Sequence, residues 1–491
     1  MSVLHVRSWC RQGALLSVTA LLIILWTCPS DAVDLDLVAA YRKKDVRALQ
    51  RYAAIHNQSI LEPYLIARMA NARELSEGRL SHTLAVALDR FAGVPPIEEV
   101  RATVLKAWAG RGDWDRFAAH IDRVPRWLID RDKELQCAKI ALLRSRQQPV
   151  SSMRQTLFAE LTEFPPLCSA AFAGAALAGE IPPDQALGRL MYLGSVGRRS
   201  DAQRLLEVLS PVLTAKDSGR NTGALVLEVL AEARSDYRRG LKSFEQHRDL
   251  FDAETARDVL LHIGIIGVRD LEPDAPALIT SVDGFSRPLM PAAAEWRTRA
   301  ALLSGVWADV AASIESMPLP VRNEPPWRYW RARSLENLYR TEEAQLIYAE
   351  ISRQPGYYGI LAAERLGHEP PYLSQTFAAD LSVLRGVEDR PETARALALH
   401  DAGLWTEAAQ ELNIMLRGAD SATLYAAAHF AKEKGLLDRQ ISFAQRASEH
   451  VDLPLRYPLA YRREIADAAG RTGLSPELLW AVIRQESRFV L

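Results

Sequence analysis

From about residue 34 to residue 450, apolar side chains recur at the three- and four-residue spacing of one helix face. No run alternates with the period of a half-buried strand. The body of the chain is therefore expected to be all-α. A second regularity is laid over the first: an apolar helix ends at Gly or a polar break, and an aromatic or polar residue opens a second amphipathic helix. Gly112-Asp113-Trp114-Asp115-Arg116-Phe117, Gly197-Arg198-Arg199-Ser200-Asp201-Ala202 and Gly305-Val306-Trp307-Ala308-Asp309-Val310 are three instances. Tyr339-Arg340-Thr341-Glu342-Glu343-Ala344 and Gly403-Leu404-Trp405-Thr406-Glu407-Ala408 are two more. Trp296-Arg297-Thr298-Arg299 and Trp330-Arg331-Ala332-Arg333 lie 34 residues apart, the period of tetratricopeptide-type helix pairs. Such helical hairpins bury their apolar faces only against one another, so the spacing predicts an irregular superhelical solenoid.

Composition agrees with a folded chain. At 491 residues, 48% hydrophobic and 25% charged, the sequence is long enough for two or three domains with sizeable cores. A formal charge of −1 argues against a nucleic-acid binder driven by bulk charge. Arg7 and Arg11 precede the apolar stretch Ala14 to Trp26, and Ser30-Asp31-Ala32 offers small residues where a signal peptidase cuts. Residues 1–32 are thus read as a cleavable signal peptide. The apolar stretch is short of the roughly 20 residues a membrane span needs. A lipoprotein alternative at Cys28 meets the bulky Trp26, where small residues are expected.

After cleavage, Cys137 and Cys168 remain. Two buried thiols are the expectation and a single disulfide is the alternative. No Cys-x-x-Cys, His-Glu-x-x-His or dense His/Asp cluster occurs, so neither a metal nor a cofactor is expected. Most Trp and Tyr residues, set at helical spacing beside Ala and Leu, read as interhelical packing rather than sugar-stacking faces. The basic pairs Arg198-Arg199 and Arg462-Arg463 could meet acidic polymer, but read more simply as solvated helix faces.

The chemistry-bearing segment lies near the end. Ser475 reads as an N-cap, with Pro476 at the first helical position and Glu477 in the first turn. Leu479, Val482, Ile483 and Glu486 then fall at the 0, 3, 4, 7 spacing of one face. This would place a carboxylate where a fourth apolar residue would continue the stripe, partly desolvated. Burial disfavours the charged form of a carboxylic acid, as a general acid working near neutral pH requires. The alternative is a helix that frays at Arg484-Gln485-Glu486-Ser487 and leaves Glu486 in water.

Tyr457-Pro458-Leu459-Ala460-Tyr461, Gly473-Leu474-Ser475-Pro476 and Ala481-Val482-Ile483-Arg484-Gln485-Glu486-Ser487-Arg488-Phe489 together resemble the soluble lytic murein transglycosylases. In that family this stretch opens a lysozyme-like domain, and the Glu of the Gln-Glu-Ser segment is the sole catalytic acid and base. The resemblance thus assigns catalysis to Glu486 and a part in orienting it to Ser487. It implies cleavage of the β-1,4 bond between N-acetylmuramic acid and N-acetylglucosamine in peptidoglycan, with a 1,6-anhydro product, in the periplasm of a Gram-negative cell.

The resemblance also implies a domain order: a U-shaped or ring-like solenoid over 33–370, a helical linker over 371–453, and the first part of the lysozyme-like domain over 454–491. Trp327-Arg328-Tyr329-Trp330-Arg331-Ala332-Arg333 through Gly356-Tyr357-Tyr358-Gly359-Ile360-Leu361-Ala362-Ala363 looks like the closing stretch of the ring. Gly367-His368-Glu369-Pro370-Pro371 breaks the helical pattern. The family's Gly-Leu-Met-Gln motif and later Tyr segments do not occur here, so the chain is expected to be inactive alone. Its last helix would then be loose or docked on the linker. Expected partners are peptidoglycan strands and proteins of cell-wall synthesis or division. A non-catalytic periplasmic helical-repeat scaffold or glycan-binding protein is the other reading.

Overall fold

The structure is a computed structural model that describes residues 31–490 apart from 57–58, 215–220, 284–288 and 375–376. The expectation of a signal peptide falls almost entirely on residues 1–30, outside the described residues. Among the described residues every regular element is helical, and the sole extended pairing is an isolated bridge between Thr214 and Asn221. None of these helices is long and apolar enough to cross a membrane.

Contacts divide the chain into two units that do not follow its order. One gathers Ala72–Leu80, Glu98–Asp389 and Leu416–Leu491; the other holds the residues up to Asn71, Ser81–Ile97 and Arg390–Met415. In the larger unit, helices pack on their near neighbours in the chain. Lys133–Ser145 meets Pro166–Leu177, Pro183–Ser195 meets Arg199–Leu213 and Thr222–Ser235, and Pro291–Ser304 meets Trp307–Glu315. Pro325–Asn337 meets Thr341–Ile351, which in turn meets Tyr357–Leu366. This is the stacking of a helical-hairpin solenoid. One apolar core runs through it from Cys137 to Trp327, and a smaller one gathers Tyr329, Tyr348 and Ile351.

Two local devices make the hairpins. Side chains of Asp132, Asp236, Asp252 and Asp420 accept backbone N–H groups at helix starts. The break positions of the repeated motif are left-handed: Gly112, Gly197, Gly305 and Gly403 have φ of 74°, 81°, 71° and 73°. That conformation closes a helix without the Cβ clash that other residues suffer. Tyr339 occupies the same place with φ 62°, and its ring is 95% exposed, so the strain is not repaid by packing.

The cysteines overturn the expectation of free thiols. Cys137 and Cys168 are both buried and form a disulfide, their Cα atoms 4.8 Å apart. The 133–145 and 166–177 helices bring them together by packing side by side, which sequence separation alone does not reveal. The aromatic residues are largely structural, as expected: Arg299 lies 5.0 Å over the Trp296 ring and 5.1 Å over that of Trp327, the latter a core residue.

In the smaller unit, Tyr64 on Glu62–Met69 donates a 2.9 Å hydrogen bond to Glu411 on Trp405–Met415. Arg395 on Pro391–Asp401 grips the same carboxylate through Nε and, at 3.1 Å, Nη2. Glu411 is 1% exposed, and a carboxyl group so deeply placed is costly to bury without such hydrogen-bonding partners.

Replacing Tyr339 by Gly is expected to raise stability by about 1 kcal/mol, measured as a higher denaturant midpoint. No change would mean that the Tyr339 turn relaxes at no cost. Burial pushes the Tyr237 phenol up to about 12, and burial together with the Glu411 charge pushes Tyr64 higher still. Their folded pKa values lie above the unfolded one near 10, so this stability is complete below pH 10 and is lost as pH rises through 12. Absorbance at 295 nm should show these phenols ionising only as helicity collapses; their titration near pH 10 in a folded chain would contradict this.

Candidate active-site helix

The helix that carries Glu486 runs Pro476–Glu486 and starts as the sequence implies: Ser475 Oγ accepts the Leu478 N–H at 3.2 Å. It packs on Arg462–Thr472, whose Ile465 and Ala469 are buried. Two polar anchors hold it on the segment before that helix. Trp480 Nε1 donates to Ala460 O at 2.7 Å, and Arg484 Nε donates to Arg456 O at 2.8 Å. The Arg484 guanidinium also lies 4.3 Å from the centre of the Tyr457 ring. Burial pulls the Arg484 pKa down, and its Nη2 finds no acceptor among the described residues.

These anchors rotate the helix away from the predicted orientation. Leu479, Trp480, Ile483 and Arg484 form the half-buried face, whereas Val482 and Glu486 are exposed. Leu478 and Val482 are each 49% exposed, and no residue of the helix is fully buried. The expected desolvation of Glu486 is therefore absent. An indole N–H and a guanidinium each need an acceptor when covered, and satisfying both on Ala460 and Arg456 turns Glu486 to solvent.

The helix does not fray at Arg484. Ser487 N donates to Ile483 O at 3.0 Å, and Arg488 N to Arg484 O at 3.2 Å. The Ser487 hydroxyl also bonds the backbone, donating to Ile483 O at 3.2 Å. Arg488 and Phe489 then adopt φ of 50° and 65°, a left-handed turn that buries the Phe489 ring 6.2 Å from that of Tyr461. Trp480, Arg484 and Tyr457 are the anchoring positions to which sequence reasoning gave no role. Their signal was the i, i+4 spacing of Trp480 and Arg484 on one helix face. Arg462 and Arg463 are exposed, as is Arg199. No cluster of side chains able to hold a metal ion occurs among the described residues.

In fold, the chain is of the all-helical class found in lytic transglycosylases. The solved lytic transglycosylase Slt of Pseudomonas aeruginosa, an inactive Glu-to-Gln mutant, superposes with a TM-score of 0.62 at 23% identity. That match covers 92% of this chain and 76% of the other. The 70 kDa soluble lytic transglycosylase of Escherichia coli gives 0.57 at 19% identity, over 94% and 78%. In sequence, the soluble lytic murein transglycosylase of Salmonella typhimurium is 27% identical over 207 residues, and that of Escherichia coli K12 is 26% identical over the same length. The match covers 42% of this chain, and the chain spans about a third (32%) of the length of those relatives. No family model matches.

Loss of one anchor should loosen the helix selectively. Arg484→Met is expected to speed amide exchange across Pro476–Glu486 about tenfold or more, with the helices of the Cys137–Trp327 core unchanged. Unchanged exchange at both places would mean that Trp480 and the apolar contacts suffice.

Proposed function

We propose that the chain is the helical scaffold and acid–base helix of a periplasmic peptidoglycan lytic transglycosylase, with Glu486 as its catalytic group. The observation that carries this is the sequence similarity to soluble lytic murein transglycosylases, together with a glutamate held on an anchored helix followed by Ser487. The inactive Glu-to-Gln mutant of the Pseudomonas aeruginosa neighbour is in keeping with one essential carboxylate in such a protein. Another solved neighbour is a complex of the 70 kDa soluble lytic transglycosylase with bulgecin A.

In this mechanism protonated Glu486 gives its proton to the glycosidic oxygen as the bond from C1 of N-acetylmuramic acid breaks. The sugar's own acetamido group stabilises the cationic carbon, so no second carboxylate is required, unlike in paired-carboxylate hydrolases. The C6 hydroxyl then attacks C1 and passes its proton to the Glu486 carboxylate. The 1,6-anhydro ring forms without water and the acid is regenerated. Because Glu486 faces solvent here, the desolvation a general acid needs falls to the bound glycan. The anchors at Ala460 and Arg456 set the direction in which the carboxylate is presented.

Where this chain completes an active site, alone or with a partner, sacculi incubated with it release 1,6-anhydromuropeptides detectable by mass spectrometry, and Glu486→Gln lowers the rate about 100-fold or more. Equal release by both proteins would remove Glu486 from the chemistry. Binding to sacculi without any product would instead assign the chain to a non-catalytic glycan-binding scaffold.

A further inference from the structure

Buried polar groups nearly always find a hydrogen-bond partner, so those that do not are informative. Two of them belong to one place. Arg484 Nη2 and the Tyr372 hydroxyl are both buried without a partner among the described residues. Arg456 and Tyr457 connect them. Arg484 Nε donates to Arg456 O at 2.8 Å, and its guanidinium lies 4.3 Å from the centre of the Tyr457 ring. Tyr372 in turn is close enough to Tyr457 and Arg456 for each to act electrostatically on its phenol. Burial pushes that phenol up, which keeps it protonated and a donor.

The group is basic and holds no acid of its own. Arg456 is 7% exposed and spends Nε and Nη2 on the carbonyl oxygens of Ala444 and Ala447, at 3.0 and 2.9 Å. Among the described residues neither Arg456 nor Arg484 forms an ion pair. The Asp452 carboxylate acts on Arg456, but its two oxygens are taken by the Leu455 N–H and the Tyr425 hydroxyl, each at 2.9 Å. Arg488, exposed just beyond the helix end, adds its positive charge to that of Arg484. On Arg484 only Nε is engaged, so a backbone carbonyl fixes the direction of the fork and both terminal nitrogens are left over. That edge is the one that pairs end-on with the two oxygens of a carboxylate. Since Arg484 is half-buried, a ligand can reach it. Every unused group here is a donor, so the complement is an acceptor with negative charge; an ammonium would be repelled, and a neutral sugar would leave two covered guanidinium groups uncompensated.

We propose that Arg484, flanked by Tyr372 and Tyr457, binds a carboxylate group of a ligand lying against the helix that carries Glu486. Arg484 holds it through both terminal nitrogens, the Tyr372 hydroxyl donates to it, and Arg456 and Arg488 supply the surrounding positive potential. The site requires only the carboxylate and not the chemistry at Glu486. Where that chemistry holds, peptidoglycan offers two sources, its sugar acid and its peptide stems.

The test is a titration of the full chain, labelled with 15N at arginine and followed by NMR at the Arg484 Nε–H, whose signal is assigned by its loss in Arg484→Lys. N-acetylmuramic acid is compared with the neutral N-acetylglucosamine, and N-acetyl-alanyl-alanine with its C-terminal amide. The expected result is a saturable shift with at least one acid and none with its neutral counterpart; which acid binds identifies the sugar or the peptide as the source. Tyr372→Phe should weaken that binding about tenfold, while the melting temperature stays the same or rises because the hydroxyl had no partner to lose. The absence of any acid-selective shift overturns the proposal. So does binding to Tyr372→Phe as tight as to the unaltered chain. Both readouts are of binding alone, so they stand apart from the release of product that tests Glu486.

Discussion

A helix with one apolar stripe cannot be stable by itself, and a hairpin of two leaves an apolar face open unless another hairpin covers it. That constraint organises the larger unit. The core from Cys137 to Trp327 is continuous because each helix in it is covered chiefly by the next one or two in the chain. The left-handed breaks at Gly112, Gly197 and Gly305 reverse the chain quickly enough for the next helix to do this. The Cys137–Cys168 bridge joins two helices that already pack, so it reinforces the same local logic. The smaller unit departs from it. There Tyr64 and Glu411, separated by 347 residues, meet through a buried charge that Arg395 neutralises. Polar specificity replaces sequence proximity in choosing partners at that point.

The helix bearing Glu486 shows how polar satisfaction can override an apolar pattern. Its best hydrophobic face by spacing includes Val482, yet the face that packs includes Arg484. The indole of Trp480 and the guanidinium of Arg484 sit one turn apart, and backbone acceptors at Ala460 and Arg456 lie where both can be met. Once both are covered, leaving either without an acceptor would cost more than exposing Leu478 and Val482. Glu486 is carried outward by this choice. In the proposed role, an exposed carboxylate on an anchored helix is reached by substrate first and desolvated by it afterwards.

Much of this was legible in the residues. The helical period, the hairpin breaks at Gly112, Gly197, Gly305, Tyr339 and Gly403, the Ser475 cap and the packing role of most aromatics all follow from local rules. The similarity of the last forty residues to lytic transglycosylases could also be read directly. The rotation of the Glu486 helix could not be read, because the 0, 3, 4, 7 stripe and the Trp480–Arg484 pair compete and only the position of the Ala460 and Arg456 carbonyls decides between them. The cysteine pair was equally undecided until two helices were seen side by side.

By itself, then, the sequence determined the class of fold and the places where helices begin and reverse, since these depend on spacing within a few residues; Glu486 was singled out as the candidate carboxylate by the resemblance of its segment to a family. Tertiary structure alone decided which way Glu486 faces, that Cys137 meets Cys168, that Tyr64 meets Glu411, and that Tyr372, Arg456 and Arg484 gather in one place. Each of those is a meeting of residues on different helices. It depends on how the helices rotate and stack, which no local period encodes.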